Sequence, residues 1–496
     1  MEKIYITTPA YYPNDIPHIG HAYTTIASDI LARWYRLKGN DVMFISGLDE
    51  HGEKIEKIAK EKGIKPKEFV NMMAKKFEKT WKLLNISYDE FIRTSQNKHI
   101  KVVNELFKKI YDNEDIYKGF YEGWYCTPCE SYWTENQLIN LRCPQCNREV
   151  NKLKEESYFF KLSKYQDKLL EFYKNNPDFI SPEYRKKEII TRVKEGLKDL
   201  SISRKKIKWG IPLPADKKFT LYVWQDALAF YISVLGYPTG EFKRYWPPDI
   251  QLMAKEILWF HAVIQPALLM SAKILPLPKK EFAHGWLTIN GQKMSKSLGN
   301  AIDPIFLSKK YSVDALRYYL MREIPFGQDG DFSEKALVNR LNSELADALG
   351  NLLSRTLTMI EKYNKGTIPK GEEDKLLSKQ LNFKAITNYM ENLEFHNALS
   401  EIFKYIDLCN KYINDNKPWE LAKNKKEKEL NNILFNMTES LRIIAEILYP
   451  FTPETSLKMH EQLGFKHRNT IDLRFGKAKS SGIKKGENLF KKIKEE

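Results

Sequence analysis

A chain of 496 residues and 58.3 kDa is too long for one hydrophobic core, and its 42% hydrophobic and 13% aromatic content is enough to bury two or three. A formal charge of +16 and a pI near 9.2 point to a phosphate-rich partner, and the lack of any apolar run of about 18 residues argues against a membrane. The first residues carry no basic, apolar, small-residue series of a secretory leader. A cytoplasmic setting is therefore expected, where five cysteines read as metal ligands or free thiols before disulfides.

Ile4-Tyr5-Ile6-Thr7-Thr8 is β-branched and aromatic, as in a buried strand. After a loop holding Pro9, Pro13 and Pro17, helical spacing runs from Ile19 to Leu37, with Ile26, Ile30 and Trp34 on one face. His18 and His21 therefore sit where strand turns into helix. A helix start leaves backbone N–H groups open and favours an anion such as phosphate; the two imidazoles add donors, and Gly20 admits close approach. The plainer reading is a helix start with two exposed imidazoles. The helix should stop at Gly39, and Val42-Met43-Phe44-Ile45 reads as a second buried strand. This makes a strand, helix, strand unit of the doubly wound kind, with ligands expected at the strands' carboxyl ends.

Ser46-Gly47-Leu48-Asp49-Glu50-His51-Gly52 falls at such an end. Asp49 could pair with a substrate ammonium or merely cap the next helix. From Lys54 to Ile110 the pattern is amphipathic helix, with Phe69, Met72, Met73, Phe77, Trp81 and Leu84 read as core. Near Asp115 the character changes. Cys126-Thr-Pro-Cys129 and Cys143-Pro-Gln-Cys146, separated by thirteen residues, offer four thiolates from two short turns. That set suits one structural zinc ion, or iron in its place, and a closed shell of four thiolates leaves no Lewis-acid position. Cys409 stands apart in a helical run and reads as core.

Residues 151–218 look like the return path of an insertion, and strand-like Phe219 to Val223 resumes the first fold. Trp224, Ala227 and Tyr231 share a helical face, either as core or as the lining of an apolar slot. Ile250 to His261 has a strand-then-helix look. Asn290-Gly291 marks a hairpin turn before Lys293-Met294-Ser295-Lys296-Ser297, where two lysines flank small hydroxyls ahead of a helix starting near Asp303. Gly330-Asp331-Phe332-Ser333 opens a long helical region with Leu341, Leu345, Ala348, Leu352 and Thr356 at near-helical spacing. Further amphipathic helices run through Leu393 to Tyr412 and Ile433 to Leu448, an all-α bundle. Within it, Trp419 after Pro418 either presents a stacking platform for an unpaired base or anchors a helix in the core. The last twenty residues are lysine-rich.

The His18-Ile-Gly20-His21 start and the Lys293 to Ser297 loop together resemble the signature of the class I aminoacyl-tRNA synthetase family, and nearly the whole chain is similar to its methionine-specific members. The resemblance implies a Rossmann-like doubly wound parallel sheet, split by a zinc-knuckle connective insertion and followed by an all-α helical-bundle domain that binds the anticodon. Residues 1–114 and 219–300 would be the halves of the catalytic domain, the second with the KMSKS loop. Residues 115–218 would form the insertion, 301–345 a stem-contact link, and 346–496 the anticodon-binding domain with its basic tail.

The implied activity is methionine activation by ATP to methionyl-adenylate, with pyrophosphate released, followed by transfer to the 3′-terminal ribose of tRNA(Met). His18, His21, Lys293 and Lys296 would stabilise charge on the phosphates, with Gly20, Ser295 and Ser297 completing the ATP site. Asp49 would hold the amino group, and Ala10, Tyr12, Trp224, Ala227, Tyr231, Ile257 and His261 the methionine side chain. Ala10 matches only across a loop, and Leu228 replaces a proline of some relatives. Asn351, Arg355 and Trp419 would read the anticodon. Mg²⁺ would accompany ATP, and the chain would act as a monomer. Two alternatives stay open: a class I synthetase for another apolar amino acid, and a non-catalytic tRNA-binding zinc protein, which the intact His18, His21, Lys293 and Lys296 oppose.

Overall fold

The first strand, β1 (Lys3–Tyr11), lies in the middle of the central sheet of the computed structural model, which describes residues 1–129, 131–133, 135–289, 291–293, 302–476, 480 and 482–494. It is followed by α1 (Ile19–Leu37), β2 (Asp41–Leu48), α2 (Glu53–Glu61), α3 (Pro66–Leu83), β3 (Glu90–Arg93) and α4 (Asn97–Asp112). The helix expected from Lys54 to Ile110 is thus three helices and a strand. Gly63, at φ +66, ends the first before Pro66 starts the next, and Ile92 is drawn into the sheet against Gly47 of β2. A Cβ on Gly47 would lie 2.1 Å from the Ile92 carbonyl oxygen, so only glycine permits that approach. Of the apolar positions read as core, Phe69, Met73, Phe77, Trp81 and Leu84 are buried, but Met72 is 45% exposed because it falls off the inner face of α3.

Next come β4 (Ile116–Cys126), β5 (Ser131–Trp133), β6 (Asn151–Phe160), α5 (Gln166–Asn175), β7 (Ile180–Ser181), α6 (Glu183–Lys194), β8 (Leu200–Ser201) and β9 (Ser203–Arg204). β5, β4, β6 and β8 form an antiparallel sheet beside the first, while β7 joins the central sheet at its edge. The strand expected from Phe219 to Val223 is only β10 (Thr220–Leu221), since a helix begins at Val223. Then follow α7 (Val223–Leu228), α8 (Phe230–Ser233), α9 (Phe242–Tyr245), β11 (Ile250–Ala254), a π-helical turn Phe260–Ile264 running into α10 (Gln265–Ser271), and β12 (Glu281–His284). The central sheet has the order β3-β2-β1-β11-β12-β7, and every pairing in it is parallel. Helices cover both faces of the parallel sheet, as such sheets require.

β13 (Leu287–Ile289) and β14 (Gln292–Lys293) make the expected hairpin. Met294, Ser295, Lys296 and Ser297 lie outside the described residues. Beyond them run α11 (Pro304–Tyr311), capped by Asp303, and α12 (Val313–Glu323), then β15 (Gly330–Asp331), paired with β13, and α13 (Glu334–Arg340). A π-helical stretch, Leu341–Gly350, continues into α14 (Asn351–Asn364). The bundle closes with α15 (Lys375–Ser378), α16 (Phe383–Glu391), α17 (Phe395–Asn416), α18 (Pro418–Lys423), α19 (Glu427–Leu448) and α20 (Pro453–Gln462). Cys409 is fully buried in α17, as expected of a core thiol.

One buried ionic knot ties sheet to bundle. Asp29 of α1 accepts from Arg33 at 2.8 Å and from Arg317 of α12 at 2.6 Å, while Arg317 also donates to the carbonyls of Pro450 and Phe451. Burial would raise the Asp29 carboxyl, but the two guanidiniums outweigh it and hold it down at about 2. Truncating either Asp29 or Arg317 would leave the other charge buried without its partner. No described helix is long and apolar enough to cross a membrane.

Candidate active site

The carboxyl ends of β1, β2, β11 and β12 open on one cavity of about 430 Å³. Its lining includes Ala10, Tyr12, Asp49, Trp224, Ala227, Tyr231, Ile257 and His261, every residue the family likeness assigned to methionine, and also His18, Gly20 and His21. Side chains separated by some 250 positions in the sequence are thus gathered around one space.

His18 is the N-cap of α1. Its Nδ1 accepts from the Gly20 amide at 3.1 Å, while the His18 amide donates to Nδ1 of His21 at 3.2 Å, a reciprocal box made of two imidazoles. An Nδ1 that accepts is unprotonated, so each neutral ring carries its proton on Nε2. The rings stack at 3.8 Å between centroids, an arrangement that two cations would resist. Tyr11 packs edge-on against His21 and bonds Thr25 at 2.6 Å, which fixes the ring from behind. One expectation needs correcting here. The first amides of α1 are not open to an anion: Ile19 donates to the Ile302 carbonyl and Gly20 to His18. The Ile19 and Gly20 amides are therefore spent within the protein, and the two imidazoles are what the sequence adds at this helix start.

Asp49 sits at the end of β2, its amide bonded to the Tyr11 carbonyl at 2.9 Å. It does not cap α2, whose N-cap is Gly52, so the plainer reading of this carboxylate fails. Behind it, Asp226 of α7 is fully buried between His51, at 2.6 Å, and His99, at 2.7 Å. Burial would raise the Asp226 carboxyl; the two histidines outweigh it and hold it at about 2. That clasp fixes the helix that presents Trp224 and Ala227. The Trp224 ring in turn stacks on Phe260 at 3.6 Å.

His261 donates from Nδ1 to the Ile257 carbonyl at 3.0 Å and accepts at Nε2 from the Tyr231 hydroxyl at 2.6 Å. Both are buried, and burial pushes His261 down to about 4, so the ring is neutral.

The cavity also takes residues the sequence reading missed. Glu256, His284, Gly285 and Trp286 line it, with Glu256 accepting from the Trp286 indole at 2.6 Å and His284 bonding Thr24 at 2.6 Å. The signal available was the position of His284-Gly285-Trp286 at the carboxyl end of a buried strand, where doubly wound sheets keep ligands. Pro128, Cys129 and Gln145 reach the same cavity from the knuckle.

The sulfur atoms of Cys126, Cys129, Cys143 and Cys146 all lie within 4.8 Å of one another, with Cys126 and Cys146 at 3.5 Å and Cys129 and Cys143 at 4.0 Å. A tetrahedron of thiolates about 2.3 Å from a central ion has edges of about 3.8 Å, so these four fit one metal ion.

In the bundle, Asn351 opens α14 and is exposed, Arg355 one turn on donates to Asn414 at 2.8 Å, and α18 packs on α14. Trp419 of α18 is 43% exposed while Pro418 is buried, so the proline is the anchor and the indole faces out. Lys293 ends β14; Ser295, Lys296 and Ser297 lie outside the described residues, so their placement against the cavity is not described.

The family described as tRNA synthetases class I (M) matches residues 4–154 and 147–357, and the anticodon-binding domain of tRNA ligase matches 375–494. The methionine–tRNA ligase of Caldanaerobacter subterraneus is 52% identical over 99% of this chain and 79% of its own length; that of Rickettsia bellii is 46% identical over 99% of both. The structure of Mycobacterium tuberculosis methionyl-tRNA synthetase bound by methionyl-adenylate superposes with a TM-score of 0.94 at 37% identity, covering 99% of this chain and 100% of that one. On these matches along nearly its full length, the chain belongs to the methionyl-tRNA synthetase family of class I tRNA ligases.

Proposed function

We propose that the cavity at the carboxyl ends of β1, β2, β11 and β12 is where methionine and ATP react, the methionine carboxylate attacking the α-phosphate to give methionyl-adenylate and pyrophosphate. The 3′-terminal ribose hydroxyl of tRNA(Met) then takes the acyl group and AMP leaves. The observation that carries this reading is the convergence of Asp49, the apolar set around Tyr231 and His261, and the imidazoles of His18 and His21 on one space.

Substrate oxygens do the attacking, so no protein nucleophile is needed and the protein's part is positioning and charge stabilisation. Asp49 holds the ammonium group. The neutral His261, locked by Tyr231 and Ile257, and the stacked Trp224 shape an apolar pocket for the thioether. His18 and His21 offer Nε2–H donors to the phosphates, and Lys293, at the end of β14, and Lys296, three positions on, add ammonium groups. Mg²⁺ enters with ATP as part of the substrate. The Cys126, Cys129, Cys143 and Cys146 set holds one zinc ion as a structural staple whose filled shell takes no part in the reaction. Asn351, Arg355 and Trp419 meet the anticodon, with the Trp419 ring as a stacking surface. Residues 1–114 with 219–300, 115–218, 301–345 and 346–496 act as catalytic fold, insertion, link and anticodon domain of one cytoplasmic, monomeric enzyme.

Homocysteine lacks one methyl group, which an apolar pocket discriminates by only about 1–3 kcal/mol. Rejection is completed at the same site, when the thiol of homocysteine attacks the acyl carbon of its own adenylate, the acyl–phosphate bond breaks, AMP leaves and the thiolactone is released.

Isotopic pyrophosphate exchange with each of the twenty amino acids tests the assignment. Exchange with methionine far above all others is expected; equal or greater exchange with another apolar amino acid would overturn it.

A further inference from the structure

Three polar side chains cross the middle of the central sheet in a single row. Thr7 on β1, Gln251 on β11 and Glu281 on β12 are in register, Thr7 with Gln251 and Gln251 with Glu281, so all three project from one face. All are fully buried. Met253 and Ala283, two residues further along the same strands and on the same face, pack with Ala262, Val263, Ala267 and Leu268 of the helix above. The row therefore looks up at that helix, where Gln265, one turn beyond His261, is buried as well. On β1, Tyr5 shares the face of Thr7 and donates its hydroxyl to the Tyr231 carbonyl at 2.8 Å, so the row borders the wall of the pocket.

Thr7 Oγ1, both amide atoms of Gln251 and of Gln265, and both carboxyl oxygens of Glu281 are buried with no hydrogen-bond partner among the described residues. Such atoms are rare singly, and here seven share one apolar interior. Buried polar atoms that find no partner in the protein are commonly satisfied by ordered water, which typically makes about three hydrogen bonds at such a site.

We infer that Thr7, Gln251, Gln265 and Glu281 enclose a small cluster of ordered water that backs the Tyr231–His261 wall, making Glu281 a positioning residue for methionine. Burial keeps the Glu281 carboxyl well above its ordinary range, so it holds its proton and serves the cluster as a donor as well as an acceptor. The inference rests on the cavity being the methionine site.

The test joins a crystal structure of the full chain, at a resolution that shows water, to pyrophosphate exchange by Glu281→Gln and Glu281→Leu. Expected are ordered waters among the four side chains and a Gln variant, which still donates and accepts, with methionine KM within about twofold of the parent. The Leu variant should raise methionine KM about tenfold while leaving kcat and the ATP KM unchanged. If Glu281→Leu does not fold, the isosteric Thr7→Val takes its place with the same split expected. A dry interior in which Gln251 and Glu281 bond each other directly overturns the inference, as does a parental methionine KM in the Leu or Val variant. A parent that activates no methionine would instead sink the functional reading, and the density would still decide the cluster.

Discussion

The Tyr231 hydroxyl donates to Nε2 of His261 at 2.6 Å, and because Nδ1 of that ring is already committed to the Ile257 carbonyl, the imidazole is locked as one neutral tautomer. With burial holding its folded value near 4 against an ordinary 6.5, the unfolded chain binds the proton first. The contribution is complete above about pH 6.5 and is lost as pH falls toward 4. Thermal unfolding followed from pH 7.5 to 4.5 should show that decline, and His261→Asn should remove part of it.

His18 caps α1 through Nδ1 and faces the cavity with the rest of its ring, so two substitutions separate the two jobs. Asparagine is a good N-cap, and His18→Asn should keep the parental melting temperature but lower kcat for methionine activation by about 10²–10³. His18→Ala should lose similar activity and also about 1 kcal/mol of stability. Equal activity in both variants and the parent would remove His18 from the phosphate site.

Asp49 lines the cavity at the end of β2, and the ammonium contact proposed for it would be a charge-assisted bond. Asp49→Asn should raise methionine KM by about 10- to 100-fold, the loss expected of one charged hydrogen bond, with ATP KM nearly unchanged. Pyrophosphate exchange at varied methionine reads this directly.

Because Pro128, Cys129 and Gln145 line the cavity, a loosened knuckle should change the cavity's shape. The purified chain should contain one zinc ion. Removing it with a chelator should depress methionine activation, and the unfolding of the α14–α20 bundle, monitored separately, should not shift. Activation unchanged after complete metal loss would contradict this.

Trp419→Ala should weaken tRNA binding by about 1–3 kcal/mol, as expected for one lost base stack, and leave pyrophosphate exchange intact. Filter binding beside exchange distinguishes this from a folding defect.

How much of this was readable beforehand differs from residue to residue. The β1–α1–β2 unit was legible because buried strands and a 3.6-residue period write themselves into Ile4–Ile6, Ile26, Ile30 and Trp34. The clustering of Cys126, Cys129, Cys143 and Cys146 was legible for the same reason of local geometry. The His18 and His21 cap was not legible, since imidazole is not among the usual capping groups and its use depends on ring orientation. β7 escaped notice because two residues hold too little pattern, and its place is set by β12, about a hundred positions later. β3 was hidden by the helical spacing on either side of it. Glu281 and Gln251 carry no local sign of their pairing, which exists only once β11 and β12 lie side by side.

The central position of β1 also governs how the chain must be made. Ile6 meets Phe44 almost at once during synthesis, but its other neighbour, Ile250, leaves the ribosome only after the whole insertion has been translated. Throughout that interval one edge of an apolar strand has nothing to pair with, an exposure that invites association between nascent chains. Production of this protein should therefore depend on slow elongation and on holding factors far more than the stability of the finished molecule would suggest.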